Sequence, residues 1–98
     1  MKPLSQSEIV EALPSVPEWK IEGSRLLREF RFPDFVAAIA FVDRIAVLAE
    51  AAGHHPDIDI RYNRVVLGLE THDANGITLK DFDLAKAVSG EFHGARLD

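Results

Sequence analysis

Cysteine is absent from the chain. That removes a disulfide framework, a thiolate nucleophile and any cysteine-based zinc site. A short chain without disulfides suits a reducing compartment, so the cytoplasm is the expected location. Basic residues are in deficit: 11 Lys and Arg stand against 16 Asp and Glu, a formal charge of −5. A general nucleic-acid binder needs a basic face, which this balance does not supply. A long uncharged apolar run is missing too. The most apolar stretch, residues 35–52, carries Asp43, Arg44 and Glu50, which argues against a membrane span. The opening MKPLSQSEIVEALP has no apolar core of the signal-peptide kind. Repeats, linkers and low-complexity runs are missing, as is a serine in a nucleophile-elbow context.

What remains is a chain of 98 residues, 47% apolar and 28% charged, the composition of one globular domain over 1–98. Its core should span about residues 4–90, with 91–98 as a loose tail. So small a domain buries a modest core, and association with a second copy would add to its stability. Ser5 and Glu8 stand at capping-box spacing before an apolar stripe, which predicts a short helix ending before Pro14. The alternating EWKIEGSRLLREFRF predicts a hairpin turning at EGSR. Pro33 and Asp34 suit the start of a long helix with Ala37, Phe41, Ile45, Leu48 and Ala52 on its inner stripe and Gly53 as a left-handed cap. DIDIRYNRVVLGLETH reads as a second hairpin. Thr78 and Asp81 repeat the capping-box spacing for a last helix ending at Gly90. Helix, hairpin, helix, hairpin, helix makes an α+β domain: a four-stranded antiparallel sheet with helices packed on one face.

The second hairpin has a predictable register. With Asn63 and Arg64 as a two-residue loop, Tyr62 faces Val65, Ile60 faces Leu67 and Ile58 faces Leu69, all apolar and on one side. A slip of one residue would scatter them. Two steps further along the ladder, His55 falls opposite His72, with Cβ atoms about 5 Å apart. His54 lies beside them, and Glu50 sits on the last helical turn above. A carboxylate there meets the negative end of the helix dipole, where its charge is disfavoured; near histidines it is an acid–base candidate.

Each residue also has a plain structural account. His54 and His55 suit a helix-to-strand loop, His72 a solvated strand end, and Asp81 a helix cap. Convergence of three of the four histidines is what sets the group apart. Zinc is disfavoured, because adjacent histidines project in different directions and an i, i+4 pair on a helix is lacking. His93, in the tail, is given no role.

These residues form a recognisable pattern: Glu50, three residues, His54-His55-Pro56, five residues, Tyr62, nine residues, His72, eight residues, Asp81. With YNRV, THD and ITLKD around them, the pattern from about Trp19 to Val88 resembles the pterin-4a-carbinolamine dehydratases. The resemblance implies the fold already read from the residues, assembled as a homodimer or homotetramer. It implies dehydration of 4a-hydroxytetrahydropterin to quinonoid dihydropterin in tetrahydrobiopterin recycling, without metal or organic cofactor. Ile58 departs from the aromatic residue many members carry, and Asp73, Ala74 and Asn75 lie in a variable turn, so preference for the pterin side chain is open.

Under that resemblance His54 and His72 carry the proton transfers, since imidazole titrates near neutrality and serves as acid or base. Glu50 orients or tunes His54. His55 and Pro56 shape the substrate pocket, with His55 hydrogen-bonded to the ring. Asp81 caps its helix and braces the site, and Tyr62 supports it. A different class of function is a protein-interaction module, because some animal members act as dimerisation cofactors of a homeodomain transcription factor through a helix surface. An apolar patch left on the exposed face of the long helix after self-association would favour such a role, and a polar one the enzyme alone. A place in molybdopterin metabolism is a further alternative.

Overall fold

The computed structural model describes residues 2–92. Helix α1 (Gln6–Ala12) continues into a 3₁₀ turn at Leu13–Ser15, and strands β1 (Lys20–Glu22) and β2 (Arg25–Arg31) follow. Helix α2 (Phe35–Ala52) leads to β3 (Asp57–Arg61) and β4 (Arg64–Leu69), a 3₁₀ turn at His72–Ala74, and α3 (Leu79–Glu91). The strands form one antiparallel sheet in the order β1-β2-β4-β3.

The helix starts follow the capping chemistry of the sequence. Ser5 and Glu8 close a full capping box on α1, and the Ser5 backbone N–H holds the Glu8 carboxyl below the ordinary carboxylate range. The Asp34 side chain accepts from the Ala37 N–H at 2.8 Å. Gly53 ends α2 at φ 62°, a conformation that costs glycine little.

The inner face of the sheet carries Leu26, Phe30, Val65, Leu67 and Leu69, all fully buried. Ala38, Phe41 and Ile45 of α2 and Phe82, Ala85 and Val88 of α3 complete the core above it. Phe41 and Ile45 are therefore on the buried stripe as expected, but the stripe is rotated. Ala38 and Ala49 are buried where Ala37 and Ala52 were expected, Ala37 and Leu48 are half-buried, and Ala52 is exposed. The last helix runs one residue beyond Gly90. Phe92, assigned to the tail by the sequence pattern, packs edge-on against Phe30 and Phe32 with ring centroids 5.1 and 5.4 Å away. An aromatic contact of this kind holds the chain against the core past the point where local propensity would release it.

The hairpin register differs from the expected one. Ile60 pairs with Val65, Ile58 with Leu67 and Asp57 with Gly68, and the turn is Tyr62–Asn63. The third strand decides this. Arg64 pairs with Arg31 of β2, the Phe32 N–H donates to the Asn63 carbonyl at 2.9 Å, and the Asn63 amide donates to the Phe32 carbonyl at 2.9 Å. Side chains alternate with period two, so a register changed by two leaves the same apolar residues facing inward. Hydrophobic pattern alone does not separate the two registers. Tyr62 is pulled into the turn at φ 56°. The ladder stops at Asp57, so His55 and His72 do not face each other across it.

Candidate active site

The histidines converge by loop geometry. The left-handed turn at Gly53 redirects the chain, and the His54 N–H donates back to the Ala49 carbonyl at 3.1 Å. This turns the His54 side chain inward, to 9% exposure. Its Nε2 lies 2.5 Å from Oδ1 of Asp81, a carboxylate with no exposed surface. The other Asp81 oxygen accepts from the Thr71 hydroxyl and the Thr78 N–H, each at 2.9 Å. Thr71 and Thr78 hydroxyls are 2.8 Å apart. Since Thr71 gives its proton to Asp81, Thr78 donates to Thr71, and Thr78 Oγ1 in turn accepts the Lys80 N–H at 3.2 Å.

The carboxylate beside Nε2 sets the imidazole tautomer. An ionised Asp81 only accepts hydrogen bonds, so His54 Nε2 carries a proton. Nδ1 is then the nitrogen left for a ligand, and it has no protein partner among the described residues. Burying a carboxylate is costly unless it is paired and hydrogen-bonded; Asp81 meets both conditions, and its partners lock the plane of the His54 ring.

His72 opens the 3₁₀ turn after Thr71, whose backbone is bridged to Gly76. A cavity of about 200 Å³ is lined by His54, His55, His72, Glu70, Asp73 and Lys80, with Gly53 and Thr71 behind them. The expectation that His54, His55 and His72 meet in one hollow thus describes the structure, although the route through the strand ladder does not.

Glu50 is placed differently from its expected role. Its Oε1 lies 2.9 Å from Nε2 of His55, not against His54, and both side chains are largely exposed at 82% and 65%. The carboxylate that orients His54 is Asp81, beyond its capping role. Pro56 is half-buried and is not part of the cavity wall. Tyr62 sits in the turn at the opposite end of β3 from the histidines, 66% exposed, and touches no part of this hollow within one chain. His93 lies outside the described residues. The sequence pattern missed Thr71 and Lys80. The capping N–H and the Thr71 hydroxyl share one oxygen of Asp81, and the capping-box spacing gives no sign of that second donor. Among the described residues, no three histidine or acidic groups come close enough together to hold a metal ion.

Residues 2–90 match the family described as Pterin 4 alpha carbinolamine dehydratase. A "Putative pterin-4-alpha-carbinolamine dehydratase" of Chloroflexus aurantiacus is 60% identical over 88 residues, covering 90% of this chain and 95% of the relative. A protein of the same name from Acidobacterium capsulatum is 56% identical, covering 90% and 96%. Among solved structures, a transcriptional coactivator/pterin dehydratase from Brucella melitensis is similar with a TM-score of 0.87 and 36% identity, over 92% of this chain and 98% of that one. A pterin dehydratase-like protein identified as a RuBisCO assembly factor in the alpha-carboxysome shares the fold at a TM-score of 0.62 and 23% identity, over 74% and 84%. With this extent of likeness, the chain belongs to the pterin 4 alpha carbinolamine dehydratase family.

Proposed function

We propose that this chain removes water from a 4a-hydroxytetrahydropterin to give quinonoid dihydropterin, by proton transfer through His54 and His72, in the recycling of tetrahydrobiopterin. The observation that carries the reading is the shared cavity of three histidines, one of them fixed by a buried carboxylate. In the reaction the C4a–O bond breaks, N5 loses its proton and a C4a–N5 double bond forms. One group must protonate the departing hydroxyl while another accepts the N5 proton, so no net proton is consumed. His54 suits the accepting role, because the Asp81 carboxylate at Nε2 stabilises the imidazolium formed when Nδ1 takes a proton. His72, exposed at the mouth of the hollow, is the partner acid. His55, steadied by Glu50, hydrogen-bonds the polar edge of the pterin, and Pro56 restrains the backbone behind it. General acid–base help of this kind contributes about 10²–10⁴-fold, and an unstable carbinolamine needs little more.

The test is an assay of a synthetic carbinolamine in the presence and absence of the protein. Dehydration well above the buffer rate is expected, and a rate equal to buffer overturns the reading. EDTA treatment should leave the rate unchanged; loss of activity with recovery on adding zinc favours a metal-dependent site instead.

Helix α2 presents Phe35, Val36 and Val47 outward, with Val36 75% and Val47 70% exposed. Val36 and Val47 lie on one side of α2, and exposed apolar side chains that share a side mark an interaction surface. We assign this face to a second copy of the chain in a homodimer or homotetramer. Sedimentation as a monomer at micromolar concentration would remove that assignment and favour a different protein partner. No helix among the described residues is long and apolar enough to cross a membrane, and the absence of cysteine fits a cytoplasmic location.

A further inference from the structure

His72 stands on the 3₁₀ turn between β4 and α3. Thr71 and Gly76 close the base of that turn. The Thr71 N–H donates to the Gly76 carbonyl at 2.9 Å, and the Gly76 N–H donates back to the Thr71 carbonyl at 3.4 Å. The Asn75 N–H donates to the His72 carbonyl at 3.1 Å, with Asn75 at φ 56°. The His72 ring itself is exposed, so the backbone of the turn sets where the imidazole stands. From the side of α3, Asp81 holds the turn through the Thr71 hydroxyl.

The segment ahead of α1 holds the same turn from its other side. The Leu4 N–H donates to the Ile77 carbonyl at 2.8 Å. Pro3 lies on Gly76: a Cβ built there would stand 3.0 Å from the Pro3 Cβ. Gly76 is buried, and the described glycines with positive φ are Gly23 and Gly53. Glycine at 76 thus serves close approach, not a left-handed backbone. The body of α1 does not close on the turn, because a groove lined by Ile9, Val10, Asn75 and Ile77 lies between them. Ser5 caps α1 directly after Leu4, and Ile9 and Leu13 pack against the core, so the clamp is anchored. We infer that the Pro3–Leu4 segment positions His72, by clamping the outer side of its turn so that the imidazole is held at the mouth of the histidine cavity. This rests on the dehydratase reading, in which His72 protonates the departing hydroxyl.

Gly76→Ala is the direct probe, since the added methyl group forces Pro3 or the turn to give by a few tenths of an ångström. A misplacement of about 1 Å costs on the order of 10²-fold. The kcat for a synthetic carbinolamine should therefore fall by about three- to tenfold, with KM changed by less than about twofold. Pro3→Gly removes the atom that the methyl group meets and keeps the Leu4 N–H. In that background Gly76→Ala should cost less than about twofold in kcat, and any Tm it lost should return. In a His72→Ala background Gly76→Ala should also change kcat by less than about twofold, because the group it misplaces is gone. The His72 ring resonances in proton–carbon NMR spectra need no turnover. They should shift in Gly76→Ala and move back in the double variant with Pro3→Gly. Wild-type kcat in Gly76→Ala, an undiminished loss beside Pro3→Gly, a full further loss beside His72→Ala, or unmoved His72 resonances each overturn the inference. Wild type that leaves the carbinolamine at its buffer rate defeats the dehydratase reading alone, because the resonances still report on the clamp.

Discussion

His54→Ala is expected to slow dehydration of freshly generated carbinolamine by about 10²–10⁴-fold, the span of a lost general acid or base. His72→Ala should lose a comparable factor, and the double variant less than the product of the two, because groups acting in one proton relay are not additive. His54→Ala also strips the buried Asp81 carboxylate of its imidazole partner, so part of its effect is structural. His54→Gln separates the two contributions. The amide donates to Asp81 but does not take up the N5 proton, so the fold should survive while the rate still falls. Full activity in His54→Gln, or in the double alanine variant, would remove the proposed chemistry.

Asp81→Ala should damage stability as much as truncating a core phenylalanine. It deletes the acceptor of three hydrogen bonds, from His54, Thr71 and Thr78, at a position with no exposed surface. Breaking a buried, paired charge costs about 3–5 kcal/mol. Small domains are stable by about 5–15 kcal/mol in total. For a chain of this size each kcal/mol lowers Tm by roughly 4–8 °C, so a fall well above 10 °C is expected from about 3 kcal/mol or more. Urea unfolding at neutral pH measures it, and a loss below about 1 kcal/mol would mean that the network carries little of the fold. Asp81→Asn keeps the volume and should lose less stability. Its amide offers a donor where Asp81 offered only acceptors, so His54 is driven to the other tautomer with Nδ1 protonated, and activity should fall far more than stability.

The local chemistry of this chain was readable without coordinates. Ser5, Asp34 and Thr78 are short polar residues ahead of apolar stripes, and all three cap helices as the spacing indicates. The alternation from Ile58 to Leu69 identified two strands and the apolar side of each; Val65, Leu67 and Leu69 of β4 are buried, while Ile58 on the edge strand β3 stays exposed. Capping and period-two alternation depend on neighbours a few residues away, so one sequence contains all the information they need. The spacing of Glu50, His54, His55, His72 and Asp81 likewise pointed to one site.

Partner choice was not readable in the same way. Glu50 is near His54 along the chain, but its hydrogen bond goes to His55, while Asp81, 27 residues away, holds His54. The left-handed turn at Gly53 separates the two histidines, sending one inward and the other to solvent, and helix dipoles say nothing about that choice. The hairpin register was equally undetermined, because two registers differing by two residues turn the same side chains inward, and the pairing of Arg64 with Arg31 and the two bonds between Phe32 and Asn63 select between them. Periodicity and capping by themselves determined which elements form, in what order, and which face of each is apolar. Which residue 27 places away meets an imidazole was decided by packing of the elements, since burial of a charge is tolerated only where the assembled fold supplies every hydrogen bond it requires.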